Sequence, residues 1–199
     1  MSKVIKVKVP GTTANCGSGF DTLGIACTVY NEFTLTLTEQ VGLAVEVIGQ
    51  GRDVIPSDER NIAVKAARAV LDRVKCPFRG MHISMNNSIP LARGLGSSAA
   101  AIVAGLVAAN AATGNTLSRE DILSMATEFE GHPDNVAPAL FGGVTVSLMK
   151  DGQPHFLRFI PPLDLAVVVA VPAFSLSTKL ARQALPNTIP FSDAVFNVS

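Results

Sequence analysis

Apolar and polar positions alternate at a period of roughly two from the start of the chain, with Val4, Ile5, Val7 and Val9 set among Lys3, Lys6 and Lys8, as in a half-buried strand. Residues 10–19 are rich in Gly, Thr, Asn and Ser and read as a loop. Residues 23–30 and 31–38 read as two strands, the second alternating Phe33, Leu35 and Leu37 against Thr34, Thr36 and Thr38. A fourth strand falls at 43–48, followed by a turn-rich connection over 50–57. From 61 to 74 the period lengthens, and Ile62, Ala66, Ala69, Val70 and Val74 share one face of a helix that Cys76-Pro77 ends. Residues 80–85 form a strand and 97–112 a helix with Gly114 at C′. The next helix begins at the N-cap Ser118, with Asp121 completing a near capping box, and stops after Glu130 at Gly131-His132-Pro133. Strands are predicted at 144–149, 156–160 and 165–171, the last continuously apolar and therefore central. A short helix over 175–185 stops at Pro186, and 186–199 reads as a polar, turn-rich tail. This order predicts an α+β fold with helices packed on a largely antiparallel sheet.

Composition narrows the function more by exclusion. The 199 residues suffice for one domain or slightly more. Sixteen acidic and sixteen basic residues leave zero formal net charge, so there is no electrostatic case for nucleic acid or an anionic membrane. One Tyr and no Trp weaken a base-stacking surface. Three cysteines, Cys16, Cys27 and Cys76, lack metal-ligand spacing and fit a reducing compartment. The N-terminus reads as a strand and not a signal peptide, and no apolar run is long enough to span a bilayer. The expected setting is cytoplasmic.

The most informative stretch is Pro90-Leu91-Ala92-Arg93-Gly94-Leu95-Gly96-Ser97-Ser98-Ala99-Ala100-Ala101, a glycine-rich loop running into an alanine-rich helix. The first N–H groups of a helix lack intrahelical partners and carry partial positive charge, which suits phosphate. No Lys follows Gly96, which excludes a Walker A loop, and Ala99 stands where a dinucleotide fingerprint has its third Gly. The competing reading is a small-residue helix start used for close packing, with the serines as caps.

Three separated segments carry a family resemblance. They are Val9-Pro10-Gly11-Thr12-Thr13-Ala14-Asn15-Cys16-Gly17-Ser18-Gly19-Phe20-Asp21-Thr22-Leu23-Gly24, the loop itself, and Glu128-Phe129-Glu130-Gly131-His132-Pro133-Asp134-Asn135-Val136-Ala137-Pro138-Ala139-Leu140-Phe141-Gly142-Gly143. Together they resemble the GHMP small-molecule kinases. The first and third, with Ser177-Thr178-Lys179-Leu180-Ala181-Arg182-Gln183-Ala184-Leu185-Pro186, resemble the branch that phosphorylates homoserine. The resemblance implies an α+β fold of the ribosomal protein S5 domain 2-like type, the GHMP kinase N-terminal domain, with a mixed, mostly antiparallel sheet. It implies residues 1–170 as the nucleotide-binding domain and 171–199 as the start of a C-terminal substrate domain whose remainder is absent.

The same resemblance implies ATP-dependent phosphorylation of the L-homoserine hydroxyl in threonine biosynthesis, with ATP and Mg²⁺ bound. Leu91, Ala92, Arg93, Gly94, Leu95, Gly96, Ser97, Ser98, Ala99, Ala100 and Ala101 would hold ATP, with Asn61 near the adenine, although Asn61 also reads as a helix N-cap. Ser97 and Glu128 would hold Mg²⁺, with Ser98 and Glu130 as the alternatives. Asn15 and Asn135 are the implied catalytic residues; Asn15, Asp21, Asp134, Thr178 and Arg182 would bind the substrate, Arg182 taking its carboxylate. His132 reads as structural, part of a helix exit. Homodimers are frequent in the family, so a second copy is an expected partner. The competing functions are another kinase of the superfamily, acting on mevalonate, a phosphorylated alcohol or a sugar, and a non-catalytic nucleotide-binding module.

Overall fold

A computed structural model describes residues 3–162, 164, 166, 168–171 and 178–198, with the side chains of 178–180 and 198 outside that set. Among the described residues the strands are β1 (Lys3–Ala14), β2 (Leu23–Thr38), β3 (Gly42–Gly49), β4 (Gly80–Asn87), β5 (Val144–Lys150) and β6 (Gln153–Phe159). The helices are α1 (Ile62–Arg73), α2 (Ser97–Ala112), α3 (Arg119–Glu130), α4 (Pro133–Phe141), α5 (Thr178–Gln183) and α6 (Phe191–Val198). The sheet runs β3-β4-β2-β5-β6, with β1 also on β2. Every pair is antiparallel except β3 with β4, whose chain connection contains α1. The α+β expectation of a mixed, mostly antiparallel sheet with packed helices holds.

One long strand, β2, replaces the two predicted over 23–38, and β1 continues through Pro10-Gly11 instead of giving way to a loop. The register between them shifts between Pro10 and Thr12. A bulge interrupts a period of two without ending the strand, and it tolerates the proline that argued for a turn. Helix α4 is not among the predicted elements: Pro133 does not merely end α3 but stands at the first position of a new helix, where its missing N–H costs nothing. The polar tail expected over 186–199 contains α6. Of the predicted central strand at 165–171, positions 165 and 167 lie outside the described residues; 166 and 168–171 join no ladder, and Val168 is 93% exposed. A continuous apolar run is a weak guide because it carries no periodicity to select a partner. Of the helix predicted over 175–185, residues 175–177 lie outside the described set.

Helix α2 is the centre of the core. It is apolar around its whole circumference, the pattern of a helix buried on every side, and it packs against α1, α3, α4, β1 and β2. Phe33, Leu35, Ile83, Ile102, Leu106 and Ile122 are almost fully buried around it. Lys3 Nζ donates to the Ala112 carbonyl at 2.6 Å, placing a cation at the negative end of α2. The opposite end of α2 is held in the body of the protein by the sheet, and there the site is built. The predicted capping box of α3 is present, with Ser118 Oγ accepting from Asp121 N–H at 3.0 Å.

Candidate active site

The loop between β4 and α2 is fixed at both ends. Asn31, buried on β2, accepts the N–H groups of Ser88 and Ile89 at 2.8 and 2.9 Å. Thr12 N–H donates to the Leu95 carbonyl at 3.0 Å. Gly96, at φ +63°, is the N-cap of α2, and a Cβ there would lie 2.0 Å from Thr12 Oγ1. Only glycine meets both demands, the left-handed backbone and the close approach. Thr12 Oγ1 in turn donates to Asn135 Oδ1 at 2.8 Å, so β1, the loop and α4 meet at one point.

The serines are not caps. Ser97 and Ser98 occupy the first two positions of α2, and among the described residues no side chain caps this helix. Its hydrogen-bond ladder begins with Ala100 N–H on the Gly96 carbonyl at 2.9 Å. The N–H groups ahead of it remain without intrahelical partners, and they sit on a cavity of about 700 Å³. Residues 91–98 and Ala101 line that cavity; Ala99 and Ala100, expected with them, are fully buried against the core. The side chains alternate around the helix, so only one face of it can meet a ligand. Asn61 is in the cavity wall, but its side chain is already committed: it accepts from Ala63 N–H at 2.9 Å and donates to the Pro56 carbonyl at 2.8 Å. It is the N-cap of α1, and its side chain is spent on that cap and on Pro56.

Beside the serines the structure brings in Glu130, not Glu128. Ser98 Oγ donates to Glu130 Oε2 at 3.0 Å, and both line the cavity. Glu128 is exposed and outside it. Two residues along a helix turn about 200°, so the two carboxylates face opposite ways. Burial raises the Glu130 pKa, against the opposing effects of the Ser98 hydrogen bond and nearby His132. A half-buried carboxylate next to a hydroxyl and the open helix end is a donor set that fits Mg²⁺, which takes one or two protein oxygens and leaves the rest to water and phosphate.

A second corner collects charge. Asn15 and Asp21 both have left-handed φ, +60° and +53°, and Asn15 Oδ1 accepts the Asp21 N–H at 2.8 Å. Arg182 from α5 donates to Asp21 at 3.0 Å through Nη1 and again through Nη2, and its guanidinium lies 4.9 Å from the Phe20 ring centre. Asp134 is fully buried at the start of α4; its Oδ1 bonds His132 Nδ1, and its Oδ2 has no hydrogen-bond partner among the described residues. The Asp134 hydrogen bond raises the His132 pKa above that of an ordinary imidazole, with burial opposing it. Asn15, His132 and Asn135 line the cavity of the loop, and Asp21 and Asp134 stand against His132. The Thr178 side chain lies outside the described residues. His132 is the residue the sequence reading missed as a site member. The Asp two positions later, at a helix start, is the signal that sets its ring.

The GHMP kinases N terminal domain matches residues 61–143, from the cap of α1 to the start of β5. The homoserine kinase of Corynebacterium urealyticum is 43% identical over 205 residues, covering all of this chain and 67% of that protein. The chain belongs to the homoserine kinase family, within the GHMP kinases. The homoserine kinase of Carboxydothermus hydrogenoformans is 47% identical over 196 residues, and this chain spans 64% of its length. The crystal structure of homoserine kinase from Cytophaga hutchinsonii superposes with a TM-score of 0.84 at 33% identity, covering 98% of this chain and 64% of that one. For this member of the homoserine kinase family, the matched domain contains the loop, Glu130, Asp134 and Asn135. Asn15, Asp21 and Arg182 come from outside it.

Proposed function

We propose that this chain takes part in transferring the terminal phosphoryl group of ATP to the side-chain hydroxyl of L-homoserine, giving O-phospho-L-homoserine for threonine biosynthesis in the cytoplasm. The observation that carries the reading is the uncapped start of α2, which opens on the same cavity as the Ser98–Glu130 pair, Asn15 and Asn135. The backbone N–H groups at the loop and helix start would seat the ATP phosphates. Met85, Ile55 and Leu91 supply apolar wall beside them, next to Asn61. Ser98 and Glu130, with Ser97 adjacent, would hold Mg²⁺, which supplies neutralisation of phosphate charge when bound.

Phosphoryl transfer asks little covalent chemistry of a protein; positioning and charge supply most of the rate. Asn15 and Asn135 stand in the cavity wall where an acceptor hydroxyl would approach. Thr12 donates to the Asn135 amide oxygen and the NH₂ group reaches Asp134 Oδ1 at 3.4 Å, which fixes the amide and leaves its second N–H to orient that hydroxyl. The zwitterionic end of the amino acid suits the second corner: Asp21 and Asp134 for the ammonium, Arg182 for the carboxylate, Thr178 beside it. Residues 1–170 form the nucleotide-binding domain in this reading, and 171–199 begin the substrate domain. A second copy of the chain is the expected protein partner.

The test is ADP release, measured for this chain and for a version extended to the length of its relatives, with homoserine, mevalonate or galactose as acceptor. Homoserine-dependent release is expected. Release dependent on either other acceptor would reassign the substrate.

A further inference from the structure

Strand β1 pairs with β2 on one side; its other edge, over residues 3–9, joins no strand among the described residues. Such an edge presents a row of unpaired N–H and C=O groups to whatever lies beside it. Beside it here is a hollow of about 320 Å³, lined by Val7 and Val9 of β1, Val103 and Val107 of α2, Ile122 of α3 and Leu140 of α4. The exposed Arg119 also lines it. Among the described residues none lines both this hollow and the cavity of the glycine-rich loop.

The two faces of β1 differ in chemistry. Ile5, Val7 and Val9 pack toward the helices. Lys6 and Lys8 are exposed on the opposite face, with Lys8 Nζ 4.7 Å from the Tyr30 ring centre. On the β2 side Lys6 stands opposite Thr34 and Lys8 opposite Glu32, so Glu32 is the one acid directly across the ladder from these two lysines. A strand added on the free side would send its side chains alternately into the apolar hollow and beside the lysines. A second copy of β1 would bring its own Lys6 and Lys8 to that face, and like charges across neighbouring strands repel. Acidic side chains in the same positions are attracted, and Arg119 adds a third cation at the hollow.

We propose that the free edge of β1 is a docking site for an extended segment of a partner protein in which acidic and apolar residues alternate, and that this segment joins the sheet as an added strand. Backbone pairing supplies the attachment. The hollow takes the apolar side chains, and Lys6 and Lys8 select the acidic ones.

The experiment is fluorescence anisotropy of a labelled peptide of about eight residues, glutamate alternating with valine, titrated with the purified chain. Saturable binding is expected, with slower amide exchange within residues 3–9 in the complex. A lysine–valine peptide of the same length is expected to bind at least about tenfold more weakly, because two favourable cross-strand charge pairs become repulsive. A glutamate–serine peptide, which keeps the charges and leaves the hollow unfilled, should also bind more weakly. In a Lys6→Glu/Lys8→Glu chain the preference should reverse toward the lysine–valine peptide, which also shows that the variant is folded. Any one of four results would overturn the proposal: no binding of the glutamate–valine peptide to the parent, unchanged exchange over 3–9, equal binding of the glutamate–serine peptide, or the same charge preference in the parent and the charge-reversed chain.

Discussion

Arg182 and Asp21, 161 residues apart in sequence, meet in a forked ion pair, Arg182 Nη1 donating to Asp21 Oδ2 at 3.0 Å and Nη2 to Oδ1. The two groups assigned to opposite ends of a zwitterionic substrate therefore neutralise each other here. An incoming amino acid would exchange partners with them, its carboxylate taking Arg182 and its ammonium taking Asp21. With side chains 36% and 39% exposed, the pair contributes about 1 kcal/mol or less to folding.

Arg182→Ala is accordingly expected to leave the melting temperature nearly unchanged. It should raise the KM for homoserine by about tenfold to a hundredfold, the range for losing a charge-assisted bidentate contact. The KM for ATP should hold. Steady-state kinetics with each substrate varied in turn checks the split; an equal rise in both would remove Arg182 from the acceptor corner.

Glu130→Gln should have opposite effects on activity and stability. Loss of the carboxylate beside Ser98 is expected to lower kcat with Mg-ATP by about a hundredfold or more. Burial raises the Glu130 pKa, so folding favours its protonated form. Its stabilising effect is thus present below the ordinary glutamate range and is lost as the pH rises through the raised pKa. At neutral pH the parent carries a buried carboxylate that glutamine lacks. The variant should melt higher than the parent at pH 7.5, and the gap should close toward pH 4, as calorimetry at the two pH values would read.

Gly96→Ala is expected to lose about 2 kcal/mol or more of stability. A left-handed backbone costs a non-glycine residue about 1 kcal/mol or more, and the added Cβ would lie 2.0 Å from Thr12 Oγ1. Because the same contact positions Asn135, ATP affinity and turnover should fall together. Urea denaturation and nucleotide titration report the two losses separately.

Asn31→Ala removes one oxygen that serves two N–H groups, those of Ser88 and Ile89. Ile89 is fully buried, so its N–H cannot turn to water. The expected loss is about 1–3 kcal/mol, with faster amide exchange at residues 88–96 than in the parent. Unchanged exchange in the loop would show that Asn31 does not anchor it.

Local chemistry announced much of the site. The glycine-rich loop, the start of α2 and the capping box of α3 depend on neighbours in the chain, and each stands where the sequence placed it. The choice between Glu128 and Glu130 was not legible in the same way. Both lie on the predicted helix, and only the packing of α3 against α2 turns one toward the serines. Asn61 shows the reverse case: its capping chemistry was readable, and the structure has it as the N-cap of α1 in the cavity wall.

What the sequence determined by itself was the α+β class, most of the elements, and a glycine-rich loop at a helix start, because periodicity, caps and glycine act over a few residues. Only the tertiary structure decided that β2 is one bulged strand, that His132 joins Asp134 and Asp21, and that Arg182 reaches across from α5. The Arg182–Asp21 contact joins residues 161 positions apart through packing of whole elements. Its free energy appears only when the sheet and α2 have brought the partners together.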